Sequence, residues 1–118
     1  MATIFIIKVN FITMIFDNDL ALLVWEKGKV VPGKDKSVWR FDDCHALIRL
    51  EDYGKLSEYG WEIDHIIPKS KGGSDDISNL RPLQWENNRA KSDGVEILVV
   101  KAVQGRNVKD IVSSIQFE

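Results

Sequence analysis

The sequence predicts a small α+β domain, and three observations carry that prediction. Short β-branched and aromatic runs, such as Trp61 to Ile67 and Val95 to Val103, alternate with short helical stretches. Turn signals at Pro32-Gly33, Gly72-Gly73 and Asp93-Gly94 separate them. The 118 residues suit one domain that buries about two-thirds of its unfolded surface. Four Trp and five Phe give its modest core bulk.

Residues 1–16, MATIFIIKVNFITMIF, form an apolar extension. Lys8 and Asn10 interrupt the run and no small-residue cleavage site follows, against a signal peptide. It is too short and polar to span a membrane. A buried or edge strand is one reading; a true start at Met14 is the other.

The main domain is expected over 17–94. Asp17-Asn18-Asp19 offers helix N-cap chemistry ahead of LALLVWEK, with a Lys in the last turn and Gly28 as the stop. Pro32-Gly33 marks a turn, and Lys34 to Lys36 a solvated loop. Ser37 is placed to cap a helical turn running to Phe41. Cys44 to Leu50 reads as a strand closed by a turn at Asp52 to Gly54. Trp61 to Ile67 reads as a strand stopped by Pro68. Lys69 to Asp76 is a surface loop. Leu80 to Trp85 is extended, and Pro82 confines it to an edge or irregular strand. Glu86 to Ser92 is helical in composition, ended by Asp93-Gly94. The order is therefore strand, loop, strand, helix. Residues 95–118 form a strand-helix tail: Val108, Ile111, Val112 and Ile115 fall at helical spacing.

The net charge is −2, so no global positive field marks a nucleic-acid binder. Basic residues do gather locally: Lys69, Lys71, Arg81, Arg89 and Lys91, interleaved with Asp75, Asp76 and Glu86. The single Cys, Cys44, leaves no intramolecular disulfide and no zinc ribbon within these residues, and it fits a reducing, cytoplasmic setting.

The stretch from Gly60 to Asp93 concentrates the chemistry: GWEIDHIIPKSKGGSDDISNLRPLQWENNRAKSD. Asp64 and His65 are adjacent, Asn79 follows His65 by fourteen residues, and Asn88 comes nine later. Phosphodiester hydrolysis needs a deprotonated water, a Lewis acid at the phosphate and charge relief for the leaving oxygen. An imidazole titrates near neutrality and can take the water's proton. Neighbouring strand residues face opposite sides, so a local distortion would let Asp64 bind metal while His65 meets the water. Asn88, on the helix, can reach the same metal through its amide oxygen.

In this order, these residues resemble the HNH nuclease motif. The likeness covers about thirty residues strongly, and residues 25–93 are similar to small bacterial and phage HNH proteins with a WEKG…WR…GWEIDH layout. The resemblance implies a ββα-metal (His-Me finger) core with short flanking helices and strands. Many members carry zinc-binding Cys pairs around it; here packing must hold those positions. By the resemblance, Asp64 is the first metal ligand, His65 the general base and Asn79 the central Asn that braces the loop and orients the His. Asn88 stands where many members have a closing His and where CRISPR effector HNH domains have Asn; NNRAKSD is similar to their pattern. Asp plus Asn supplies oxygen alone, which suits Mg²⁺, with Mn²⁺ as a substitute, weakly held until phosphate oxygens complete the shell.

The implied partner is nucleic acid, with double-stranded DNA the first expectation and no membrane. Arg89 and Lys91, and Lys69 and Lys71 on the loop, are the candidate phosphate contacts; a solvated helix face is the bland alternative. His45 beside Cys44 reads as a core or surface His. Arg40 and Asp42 match an upstream R-x-D pattern and read as an ion pair. Most of the Trp residues read as core. Two other functions compete with DNA cleavage: a non-catalytic HNH-fold binding or assembly module, and an RNA-cutting toxin effector.

Overall fold

The computed structural model describes residues 19–91 and 99–109. The N-terminal apolar run, and the tail beyond 109, lie outside the described residues. Within them the chain mixes helix and strand, as expected of an α+β domain. No described helix is long and apolar enough to cross a membrane.

Helix α1 (Asp19–Trp25) opens the described chain. It buries Ala21, Val24 and Trp25 and leaves Leu23 exposed, a one-sided pattern typical of a surface helix. The amide of Gly28 closes it onto the Trp25 carbonyl at 2.9 Å. Lys27 lies just past the last turn. Its ammonium bonds the carbonyls of Ile77 and Leu80, not the helix's own end.

Strands β1 (Lys29–Val30), β2 (Trp39–Phe41) and β3 (Leu47–Arg49) form an antiparallel meander in the order β1-β2-β3. The helical turn expected from Ser37 to Phe41 is instead a turn leading into β2. Asp35 organises it, accepting from the Ser37 amide at 2.9 Å and hydroxyl at 2.7 Å. Trp39 to Phe41 then pair with Arg49 to Leu47. The Cys44-to-Leu50 strand shortens to Leu47–Arg49, because Asp42 draws the preceding residues into a turn.

Strand β4 (Trp61–His65) pairs antiparallel with β5 (Leu80–Gln84), in a register that sets Asp64 opposite Arg81 and His65 opposite Leu80. Pro82 sits in β5, where a two-stranded sheet leaves a free edge for a residue without an N–H. Helix α2 (Trp85–Ala90) follows directly, capped by the Gln84 side chain, which accepts from the amides of Glu86 and Asn87. It stops at Ala90, before the Asp93-Gly94 stop read from sequence.

The core joins α1 to both sheets through Ala21, Val24, Trp25, Ile48, Trp61 and Leu80. Trp25 and Trp61 lie 5.3 Å apart between ring centroids, and Tyr53 packs on Trp61 at 4.7 Å. The Trp61 ring N–H donates to the Arg49 carbonyl at 3.0 Å, so this large side chain is buried without leaving its donor unmet.

Strands β6 (Val100–Val103) and β7 (Arg106–Lys109) form a hairpin. Val108 and Lys109, the first residues of the helical spacing, are thus in a strand, while Ile111, Val112 and Ile115 lie outside the described residues. Gln104 and Gly105 take positive φ (50° and 80°), the paired left-handed conformation of a tight hairpin turn, and the chain returns as a strand. The Asn107 side chain fastens the hairpin to β3 by two 2.7 Å bonds to the Leu47 backbone.

The expected Arg40–Asp42 ion pair is also corrected. Arg40 donates to the carbonyls of Lys36, Glu26 and Gly28. Asp42 accepts from the amides of Cys44, Ala46 and Gln84 and from the Asn87 side chain. Each is satisfied by groups that fix its own turn, so neither turns to the other.

Candidate active site

The site grows from the loop between β4 and β5. After His65 the chain turns through a 3-10 segment, Lys69–Lys71, and then Gly72 at φ +85°. A side chain there would be strained. At Gly73 a Cβ would lie 1.7 Å from the Ile67 carbonyl oxygen, so the loop closes on itself only with glycine. The GG pair is thus a steric requirement of this loop.

Asn79 pins the closed loop. Its amide oxygen accepts from the Ile67 N–H at 2.8 Å, and its NH₂ donates to the carbonyls of Ile67 and Ser74 at 3.1 and 2.8 Å. Its own carbonyl accepts from the Ile66 amide at 2.8 Å. Four bonds from one residue bind both ends of the loop, immediately after His65.

His65 ends β4 with its side chain 28 % exposed. Its Nε2 lies 2.8 Å from the Asp75 carboxylate, which also meets Lys69 at 3.2 Å. The imidazole first, and then the Lys69 ammonium, hold the Asp75 carboxyl below the usual carboxylate range.

Asp64 is buried and surrounded by cations. Arg81 Nε donates to its Oδ2 at 2.8 Å, and Lys91 Nζ lies 3.0 Å from both of its oxygens. Lys91 also donates to the carbonyls of His65 at 2.6 Å and Ile66 at 3.2 Å. With its side chain only 6 % exposed, Lys91 is turned inward and not along the solvated helix face.

Asn88 donates through its NH₂ to Glu62 at 3.0 Å, a bond that leaves its amide oxygen uninvolved. Arg89 is exposed, pairs with the other oxygen of Glu62 at 3.1 Å and lies over the Trp85 ring at 5.4 Å. Lys69 and Lys71 are exposed on the loop.

One cavity of about 370 Å³ brings most of these together: Ile63, Asp64, His65, Pro68, Lys69, Asn88 and Lys91 line it. Adjacent strand residues Asp64 and His65 both line it, and β4 keeps its register with β5 through His65. Asn79 stands behind the wall, and Lys71 and Arg89 lie outside it. His45 is exposed at φ 67° and stacks on Phe41 at 4.0 Å between ring centroids.

Three residues in this arrangement escape a reading of the motif alone: Asp75 on His65, Arg81 on Asp64, and Glu62 on Asn88. Arg81 was accessible in principle. Counting back from the loop pairs it with Asp64, and opposite charges at facing strand positions attract. Asp75 depends on the loop's fold and left no such signal.

The donors around the cavity suit a hard cation. Asp64 and Asn88 present oxygens, and the Lys91 ammonium already rests among four oxygens as a cation would. Among the described residues no group of three or more His, Cys, Asp or Glu side chains could hold a metal, so an ion here would keep waters or take substrate oxygens.

No curated protein and no solved structure matches the chain. The HNH endonuclease family model matches residues 42–94, a span that includes the strand pair, the braced loop and the helix bearing Asn88. Over that span, a little under half of its length, the chain is similar to the HNH endonuclease family, a family of nucleases.

Proposed function

We propose that this chain is a metal-dependent endonuclease hydrolysing phosphodiester bonds of DNA, with β4, β5 and α2 as its ββα-metal core. The observation that carries the reading is the shared cavity of Asp64, His65 and Asn88 within the family span. In the tautomer protonated at Nε2, His65 donates to Asp75, and Nδ1 keeps the lone pair that takes a proton from water. Asn79 keeps the loop closed and so fixes the Asp75 carboxylate relative to His65. Asp64 and Asn88 would hold Mg²⁺, with Mn²⁺ as substitute, supplying Lewis-acid charge to the phosphate. Lys69, at the cavity wall, and Lys71 and Arg89 nearby would attract the nucleic-acid backbone.

A second reading, a nucleic-acid-binding module without catalysis, draws on the two cations that already saturate Asp64. A plasmid nicking assay separates the two. Cleavage in Mg²⁺ or Mn²⁺ that EDTA stops and that His65→Ala lacks is expected of the nuclease. No cleavage in either metal, with retained DNA binding, would establish the module. Zn²⁺ is expected to support cutting poorly, because it would bind His65 and remove the base.

A further inference from the structure

We propose that Lys91 is the resident counter-cation of the metal site, and that a divalent ion binds Asp64 only by displacing its ammonium. The inference rests on the reading of Asp64 as a metal ligand.

Lys91 Nζ touches four oxygens: both carboxylate oxygens of Asp64 and the carbonyls of His65 and Ile66. An ammonium has three protons, so this nest holds more acceptors than it can fully use. Asp64 is also bonded by Arg81, which in turn reaches Asp43 at 3.2 Å. The four side chains therefore sum to zero charge. Adding a divalent ion beside them would leave an uncompensated double charge at short range in a partly buried site, and one cation has to leave.

The fold decides which. Arg81 is buried in β5, directly opposite Asp64, and held by two carboxylates. Lys91 sits at the C-terminal end of α2, beyond the last helical residue, with its long stem on the cavity wall. It can withdraw without moving a strand. Two consequences follow. The apparent metal affinity is the intrinsic affinity multiplied by the fraction of molecules in which Lys91 has withdrawn. The released ammonium also becomes available at the cavity to a substrate phosphate, so metal and nucleic acid bind with positive coupling.

The test is calorimetric titration of the full chain with Mn²⁺ alone, without nucleic acid, paired with thermal melts. Lys91→Met and Lys91→Gln are expected to bind Mn²⁺ about tenfold tighter than wild type, the scale of removing one close charge. Lys91→Arg keeps the charge and should bind no tighter. If Lys91→Met melts early, the Gln variant carries the comparison. Equal or weaker Mn²⁺ affinity in the charge-free variants, with binding still lost in Asp64→Asn, overturns the role of Lys91 and leaves the metal site standing. Mn²⁺ binding that survives Asp64→Asn, or is absent from every variant, overturns both.

Discussion

The domain contains two Asp–Asn pairs built in opposite ways. Asp42 and Asn87 form a hub behind the helix. Every partner of the Asp42 carboxylate is a neutral amide: the N–H groups of Cys44, Ala46 and Gln84 and the Asn87 side chain. Asn87 then bonds both the N–H and the C=O of Val100. Asp64 and Asn88 face the cavity, and the partners there carry charge: Arg81 and Lys91 on the Asp, Glu62 on the Asn. Burial pushes the Asp42 carboxyl above its ordinary range, and the four donors only partly offset that. Fixed backbone dipoles cannot be exchanged for an incoming ion, whereas an ammonium on a flexible stem can. Asn87 and Asn88 are neighbours, yet a helix turns about 100° per residue, so one is built into the hub and the other into the cavity wall.

The sharpest way to break this contrast is at His65. His65→Ala is expected to lower cleavage by about 10²–10⁴-fold, the usual worth of a general base, with an unchanged melting temperature. Full activity in a preparation free of contaminating nuclease would remove His65 from the mechanism. Asp64→Ala and Asn88→Ala should lose activity through the metal, and raised Mn²⁺ should restore part of it. Calorimetry with substrate present should find weaker metal binding in both; unchanged affinity would show that neither is a ligand.

The hub should respond in the other currency. Asn87→Ala takes one of two donors from Asp42 Oδ2, which keeps the Gln84 amide, and removes the side-chain partner of both Val100 backbone groups, a loss of about 2–4 kcal/mol. For a domain of this size that lowers the melting temperature by roughly 10–20 °C, while activity per folded molecule persists below the transition. Asn88→Ala should do the reverse. If both variants lose stability equally, the division between hub and cavity fails.

The contrast also shows where the sequence is legible. The strand–loop–strand–helix order, the GG loop and the two-Trp core could be read because each rests on local chemistry: β-branched runs, positive φ, bulky apolar residues. Asp64, His65 and Asn88 could be brought to one place because their spacing matches a family motif. Their partners could not, since a side chain's partner depends on how separate segments dock. Lys91 illustrates the limit. From sequence it is one more basic residue on a helix; only the fold turns it inward onto Asp64, 27 positions away. Asp42 is similar. Spacing suggests a pairing with Arg40, but its own turn supplies two donors, the Cys44 and Ala46 amides, and the docking of β5 and α2 supplies two more, from Gln84 and Asn87. At the C-terminal hairpin the turn before Val108 was legible, but it is tighter than its composition suggested: it closes at Gln104-Gly105, so Arg106 to Lys109 return as a strand.

The smallest expected effect lies at the far end of the hub, where the β6–β7 hairpin docks. Arg106 clasps Glu58 with two bonds of 3.0 and 2.8 Å, and the Asn107 amide adds a third at 3.1 Å. The Arg106 guanidinium is the main cause that lowers the Glu58 carboxyl from 4.5 to about 2. A lowered carboxyl stabilises the fold when ionised, so this contribution is complete above pH 4.5 and lost as pH falls through about 2. The Glu58 side chain is 31 % exposed, and solvent screening reduces the pair to about 1 kcal/mol. Denaturant melts of wild type and Glu58→Gln should therefore differ by about 1 kcal/mol at pH 7 and converge near pH 2. Because Asn107 still holds Leu47, the hairpin should stay docked in the Gln variant, with Val100 amide exchange nearly unchanged. A difference that persists undiminished at pH 2 would mean that Glu58 acts through packing and not through its charge.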